Sequence, residues 1–202
     1  MHKIISFFIL TTFLACNNQQ GNHDHASGTS KDSTFDKSIV ITATDTTVTD
    51  TVKRSLPAIA TANINGKKLL IQYHSPAVRG RIIWGGLVAF DQVWVTGAHS
   101  ATRFESPTEF IVGDKKLAAG KYAFFTIPGK DEWIVILNKN WDQHLADEYK
   151  QSDDAVRITV RPTTASHQER LMYSIDQTGE YKCAIEMRWE KIKIRVPVEL
   201  TR

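Results

Sequence analysis

Apolar and polar residues alternate along the chain from about Ser55 onward, with a period of two that is typical of strands in antiparallel sheets. One stretch, Glu132–Asn138, is apolar on both faces, which predicts a central strand that is covered on each side. The pattern predicts strands over the following segments: Lys67–His74, Arg81–Trp84, Leu87–Phe90, Gln92–Thr96, Phe110–Val112, Tyr122–Ile127 and Glu132–Asn138.

The C-terminal segment has the clearest alternation. Its apolar residues occupy odd positions from Tyr181 to Trp189 and even positions from Ile192 to Leu200. Because successive side chains of a strand point to opposite faces, this one-residue slip predicts a bulge or tight turn at Glu190-Lys191. Pro197 has no N–H to donate to a ladder, which predicts a position at a sheet edge.

One helix is predicted from about Trp141 to Lys150. Asn140 would cap it, Asp142 would favour its N-terminus, and Trp141, Leu145 and Tyr149 would share a face. Many short strands with one short helix predict an all-β fold, an antiparallel β-sandwich for which a jelly roll is one arrangement.

The N-terminus reads as a targeting segment. Lys3 precedes the apolar run Ile4–Leu14, which is too short to span a bilayer and fits the apolar region of a signal peptide. Ala15 directly before Cys16 resembles a bacterial lipobox, after which the cysteine carries lipid. Resemblance to known lipoproteins implies an outer-membrane anchor for this cell-envelope protein. An ordinary secretory signal with a chance cysteine is the alternative.

Three regions follow from this composition. Residues 1–16 form a predicted lipoprotein signal peptide, residues 17–54 a flexible polar tether, and residues 55–202 the β-sandwich domain. A weaker pattern over Ile39–Val52 would allow an additional edge strand. If Cys16 carries lipid, Cys183 is the only thiol left, so no intrachain disulfide is expected.

Composition narrows the class of protein. At 202 residues, 42% hydrophobic and 23% charged, the chain is long enough and apolar enough for one sizeable soluble domain. The formal charge is only +3, and basic residues are mixed with acidic ones. We therefore do not expect a nucleic-acid partner.

Several segments resemble the bacterial domain of unknown function 2911 family, which is common in Bacteroidota lipoproteins. They are SPAVRGRIIWGGLV, FDQVWVTGAHSAT, KLAAGKYAFFTIPGKDEWIVILNKNW and MRWEKIKIRVPV, and they cover most of residues 67–200 in order. The family has no established activity, so the resemblance implies fold and location. The chain departs from the family pattern at Ser75, where Arg is frequent, and at Val95 and His99 within the motif WRTGAN. It departs again after Trp141, where Gly and aromatic residues are frequent and this chain has Asp142-Gln143-His144.

Three histidines lie at or beside these departures. His74 ends a predicted strand, His99 follows Gly97-Ala98, and His144 lies near the predicted helix start, four residues before Glu148. Three imidazoles with one open position suit Zn²⁺ or Cu ions, and Glu148 would be a fourth ligand or support one. The spacing has no diagnostic form, so unrelated structural histidines are the competing interpretation. A metal-free acid–base site of His99 with Asp91 or Glu105 is a further one.

Four more residues complete the candidate pocket. Arg79 and Arg81 share a strand face and could grip a carboxylate or phosphate, and Asp91 and Trp94 lie nearby. The sequence thus predicts a lipid-anchored sandwich that binds a metal ion or small ligand at a rim pocket. A metal-assisted hydrolase at the same pocket and a structural or protein-interaction module are the alternatives.

Overall fold

The computed structural model describes residues 52–202. The predicted signal peptide, Cys16 and nearly all of the predicted tether and edge strand Ile39–Val52 lie outside this range and stay predictions. Within it the chain forms ten strands: β1 Leu56–Ile64, β2 Lys67–Ser75, β3 Thr102–Ser106, β4 Phe110–Val112, β5 Lys115–Leu117, β6 Gly120–Ile127, β7 Trp133–Asn138, β8 Asp154–Val160, β9 Thr163–Gln177 and β10 Lys182–Leu200.

The strands form two antiparallel sheets, as the alternating pattern predicted. One has six strands in the order β1-β2-β3-β6-β7-β8, and the other has four in the order β5-β4-β10-β9. The β1–β2 hairpin turns at Asn65-Gly66, where both residues have positive φ, 48° and 78°. Because a two-residue hairpin turn of this type requires left-handed backbone, the Asn-Gly pair sets the register of the whole hairpin.

The main core lies between the two sheets. Alternate side chains of β2 point inward (Leu69, Ile71 and Tyr73), and they meet inward-pointing residues of β9 and β10 such as Leu171, Tyr173, Met187 and Trp189. All of these side chains are at most 3% exposed. The all-β sandwich arrangement predicted from sequence is confirmed.

The bulge predicted in the C-terminal segment is present at Glu190. Its φ is 55°, and the pairing of β10 with β9 shifts register on both sides of it. Of the two predicted alternatives the bulge is thus the one observed, and the segment is one long strand within which the inward set switches from odd to even positions. Pro197 lies in a stretch of β10 between its last register partner on β9, opposite Lys193, and its first on β4, opposite Glu199.

A second, smaller core covers the outer face of the six-stranded sheet. Its buried members are Val95, Ala101, Ala123, Phe125 and Ile136, and Trp141 and Tyr149 pack against it. Two loops thus cover the sheet from outside, and β7 is buried on both faces as the sequence predicted.

The predicted strands at Arg81–Trp84, Leu87–Phe90 and Gln92–Thr96 are wrong. Residues 79–101 form a loop with isolated bridges at Trp84–Val88, Trp94–Thr126 and Ser100–His144. Its left-handed residues include Arg79, Gly85 and Asp91, which interrupt any extended run. Alternating apolar residues therefore reach the two cores from a folded loop rather than from a ladder.

The predicted helix from Trp141 to Lys150 is also wrong. The segment is a series of turns, followed by a single turn of 3-10 helix at Gln151–Asp153. Its backbone bonds to the neighbouring loop: Leu145 donates to the His99 carbonyl at 2.7 Å, and the Gln143 carbonyl accepts from Ala101 at 3.0 Å. Leu145 has a φ of 54°, which a right-handed helix does not allow. Over residues 52–202 no helix is long and apolar enough to cross a membrane.

Candidate functional site

A cavity of about 460 Å³ opens beside the loop of residues 79–99. Four of the residues singled out from the sequence line it: Arg79, Arg81, Trp94 and His99. The structure adds Lys53, Arg54 and Trp189, together with the apolar side chains of Leu87, Val88 and Leu145. Among the described residues that line the cavity there is no aspartate or glutamate.

The two predicted arginines are held by backbone carbonyls. Arg81 donates from Nε to the Val78 carbonyl at 3.1 Å and from Nη2 to the Ala77 carbonyl at 2.6 Å. Arg79 donates from Nη2 to the carbonyl of Val52 at 3.3 Å. Because these acceptors are neutral, the bonds orient the two guanidinium groups and leave their positive charge available to an anion. The nearest carboxylate that contacts this loop, Glu169, accepts from the Arg79 backbone N–H at 2.8 Å.

Two stacked indoles form the apolar wall of the cavity. Trp94 belongs to the loop, and its backbone pairs with Thr126 of β6. Thr126 lies beyond the last residue of β6 that pairs with β3, so Trp94 occupies the place next to β6 that β3 leaves open. Its ring lies against that of Trp189 on the opposite sheet, with centroids 5.7 Å apart and planes 20° apart. Both indole N–H groups donate to backbone carbonyls, of Gly97 at 3.1 Å and of Glu169 at 3.3 Å. Their faces are therefore fixed before any ligand arrives.

The loop beside these indoles is held in an unusual backbone conformation. Thr96 and His99 have φ of 50° and 63°, values that non-glycine residues adopt at a cost. The Thr96 carbonyl accepts from the hydroxyls of Tyr173 at 2.9 Å and Thr102 at 3.0 Å, both within the buried interior. Three hydroxyl contacts, including Thr96 to Thr126 at 3.0 Å, thus stabilise a turn that places His99 at the cavity.

Two of the three predicted histidines lie together. The ring of His99 is exposed at the cavity, and the half-buried ring of His74 on β2 lies 5.2 Å from it, centroid to centroid, with planes 84° apart. Burial lowers the pKa of His74 below its usual value, and the nearby His99 lowers it further. Both effects disfavour a charged imidazole at position 74.

The backbone of His144 lies beside the loop that carries His99. It bridges Ser100, and the following residue, Leu145, lines the cavity. Its side chain and that of Glu148 are exposed in a loop, so the helical face on which they were to cooperate does not exist. Asp91 lies at the β6–β7 turn, where its N–H donates to the Pro128 carbonyl at 2.8 Å, and it does not line the cavity.

Metal binding by the three histidines stays a prediction. Within residues 52–202 there is no group of three or more His, Cys, Asp or Glu side chains arranged to hold a metal ion. The geometry therefore brings together the arginines, one tryptophan and two histidines of the predicted set, and leaves the carboxylates Asp91 and Glu148 outside it.

Sequence reasoning missed three lining residues. Lys53 and Arg54 belong to the predicted tether. In the structure Leu56, at the start of β1, pairs with Ser75 at the end of β2. The residues just before β1 therefore lie beside the 79–99 loop, which follows β2, and they line the cavity. Trp189 was read as one member of an alternating strand. A basic pair directly before the alternating pattern that begins at about Ser55 was the available signal for Lys53 and Arg54. The contact of Trp189 with Trp94 is long-range, so no local pattern could indicate it.

Comparison with protein families gives one match. The model of a family described as "Protein of unknown function (DUF2911)" matches residues 55–198, which covers most of the chain and all ten strands except the last two residues of β10. Comparisons with curated proteins and with solved structures gave no match. The family resemblance seen in the sequence is thereby confirmed, and the chain belongs to the DUF2911 family.

Proposed function

We propose that the protein binds a small anionic ligand with an apolar or ring portion in the cavity beside residues 79–99. The observation that carries the proposal is charge: the side chains of Lys53, Arg54, Arg79 and Arg81 meet at one cavity whose described lining has no acidic residue. A carboxylate or phosphate would accept from the two guanidinium groups.

The tryptophans at the cavity support the proposal that the ligand has an apolar or ring portion. Trp94 presents a fixed aromatic surface at the cavity, backed by the stacked and buried ring of Trp189, and Leu145 adds aliphatic surface. Ligand sites in proteins are mostly apolar with a few oriented polar groups, and their volumes start at roughly 300 Å³. A volume of about 460 Å³ suits one ring or short chain with a charged group.

The positions of the carboxylates favour binding over metal-free acid–base catalysis. A metal-free acid–base pair would need a carboxylate beside His99, and Asp91 lies instead at the turn beside Pro128. The other partner considered for it, Glu105, lies on β3 opposite Lys121 of β6. The structural or protein-interaction alternative would leave the oriented arginines and indoles without a ligand.

The test is titration calorimetry with three small probes: phenyl phosphate, benzoate and neutral benzyl alcohol. We expect the two anions to bind more tightly than the alcohol, with affinity falling as salt rises. The double variant Arg79→Gln/Arg81→Gln should weaken anion binding about 100-fold or more, since each of the two charge-assisted hydrogen bonds contributes roughly 1.5–3 kcal/mol and 1.4 kcal/mol is tenfold. Arg161→Gln is the control, at an exposed arginine just beyond the end of β8 that pairs with Glu132 and does not line the cavity.

A chelator separates this proposal from the three-histidine metal site. Because the cavity's charge comes from arginine and lysine, anion binding should survive EDTA treatment unchanged. Loss of binding with EDTA, restored by Zn²⁺ but not in His99→Ala, would favour the metal site instead. Equal affinity for the alcohol and the anions would contradict the proposal outright.

We also propose that the chain works at the cell envelope of a Bacteroidota-type bacterium, held to the outer membrane by lipid on Cys16. The apolar run Ile4–Leu14 and the Ala15-Cys16 junction support this. Metabolic labelling with a fatty-acid analogue in a bacterial host should label the wild-type chain and not Cys16→Ser. Equal labelling of both would contradict a lipid at this cysteine.

A further inference from the structure

The exposed large hydrophobic residues of the described chain gather at one place. Ile82 is 78% exposed, Leu87 50%, Val52 38% and Leu145 38%, and these four are the large exposed hydrophobics among residues 52–202. Leu87 and Leu145 line the cavity, Ile82 follows the lining residue Arg81, and Val52 precedes Lys53. Scattered exposed apolar residues are ordinary, but a group at one rim marks an interaction surface.

The most exposed pair is fixed in place by its loop. The Leu87 N–H donates to the Ile82 carbonyl at 3.0 Å, and the Val88 N–H donates to the Ile83 carbonyl at 2.9 Å. A Cβ at Gly86 would lie 2.4 Å from the Ile82 carbonyl oxygen, so only glycine permits this close turn. Ile83 turns into the core and is 2% exposed, while Ile82 and Leu87 point to solvent side by side.

Basic side chains surround this apolar tip. Lys53, Arg54, Arg79 and Arg81 are all exposed at the same rim. The carboxylate that contacts the loop, Glu169, is already engaged by the Arg79 N–H and by the His167 ring at 3.2 Å. The rim therefore combines protruding apolar side chains with positive charge.

We propose that this rim docks onto the surface of a membrane that contains anionic lipids. Ile82 and Leu87 would enter the boundary between headgroups and acyl chains, and the four basic residues would contact the lipid phosphates. Protruding aliphatic side chains with cations around them are the combination that peripheral membrane contacts use, because the apolar groups enter the acyl boundary while the cations stay at the phosphates. The docking extends beyond the proposed ligand binding, because it involves the outside of the rim and needs no occupant in the cavity.

A probe at the tip tests the docking separately from the N-terminal segment. An environment-sensitive fluorophore is attached to Ile82→Cys or, as control, to Lys115→Cys on β5 of the other sheet, both in full chains that carry Cys16→Ser. Cys183 is buried and burial raises the pKa of its thiol to about 11, so labelling at neutral pH goes to the introduced cysteine. The labelled chains are mixed with phosphatidylcholine vesicles made with or without phosphatidylglycerol.

We expect the emission of the probe at position 82 to shift to the blue with phosphatidylglycerol vesicles only, and that of the probe at position 115 to stay unchanged. Adding Arg79→Gln/Arg81→Gln should raise the vesicle concentration needed by about 30-fold, since each basic residue near an anionic surface contributes roughly 1 kcal/mol. An equal response at both positions, a response to neutral vesicles as well, or a blue shift that depends on protein concentration without vesicles would overturn the proposal.

Discussion

The imidazole rings of His74 and His99 meet edge to face, with centroids 5.2 Å apart, although 25 positions of sequence separate them. His74 belongs to a regular strand and His99 to a left-handed turn, so the contact exists only because the 79–99 loop folds back over β2. The pair lies where the cationic cavity meets the outer face of the sheet. The pKa of His74 is therefore a measurable indicator of the charges at this site.

We expect His99→Gln to raise the pKa of His74, but not to its usual value of 6.5, because burial is the larger cause of the lowering and His99 the smaller one. NMR titration of the ring protons measures this directly. His167→Gln, at an exposed histidine bonded to Glu169, is the control and should leave His74 unchanged. A His74 pKa that is equal in His99→Gln and the wild type would show that the two rings do not interact.

The lowered pKa of His74 also predicts how the stability of the protein changes with pH. Since the pKa of His74 is lower in the folded state, the unfolded chain binds more protons as pH falls below about 6.5, so this residue costs stability in acid. A His74→Asn variant should therefore lose less of its free energy of unfolding than the wild type between neutral pH and the folded pKa. Urea unfolding at a series of pH values checks it, and parallel curves for the two proteins would count against it.

Gly97→Ala should destabilise the protein by about 1–3 kcal/mol, because overfilling a packed interior forces backbone to move. The new Cβ would lie 2.9 Å from the Thr102 hydroxyl oxygen and 3.1 Å from the His74 carbonyl oxygen. The variant should also weaken anion binding, since the turn of residues 96–99 lines the cavity.

Gly179→Ala is the matched control for this change, because its Cβ would meet only the side chain of Lys182, at 3.3 Å. We expect it to alter the free energy of unfolding by less than about 0.5 kcal/mol. Chemical denaturation of both variants gives the comparison, and similar losses at the two glycines would mean that the close approach of Gly97 to β2 is not what constrains it.

Cys183 should make the fold sensitive to alkali. Burial, and secondarily Asp176, raises the pKa of its thiol from 9.0 to about 11. Between these values the unfolded chain has lost the proton and the folded chain keeps it, so stability falls as pH rises through this window. The free energy of unfolding of Cys183→Ala should decline less steeply above pH 9 than that of the wild type. An identical decline would assign the alkaline loss to other groups, such as Tyr73 and Tyr173.

Local patterns predicted much of the scaffold. The doubly covered strand β7 and the bulge at Glu190 follow from side-chain periodicity, which is a property of a few consecutive residues. The segments 81–96 and 141–149 bury some of their apolar residues, such as Ile83 and Val95, and expose others, such as Ile82 and Leu87. The strands predicted within 81–96 and the helix predicted at 141–150 are wrong. The spacing of apolar residues indicates which side chains can be buried, but it does not determine which groups the backbone N–H and C=O bond to.

The sequence by itself determined the all-β class, the position of the bulge in the C-terminal strand, and a set of chemically active residues that includes Arg79, Arg81, Trp94 and His99. Only the tertiary structure decided which of them meet. It brings Lys53 and Arg54 to the same cavity, stacks Trp94 on Trp189, and leaves Asp91 and Glu148 outside. The reason is physical: the loop of residues 79–101 bonds to β6, β9 and the 139–150 segment, and such long-range contacts leave no trace in local periodicity.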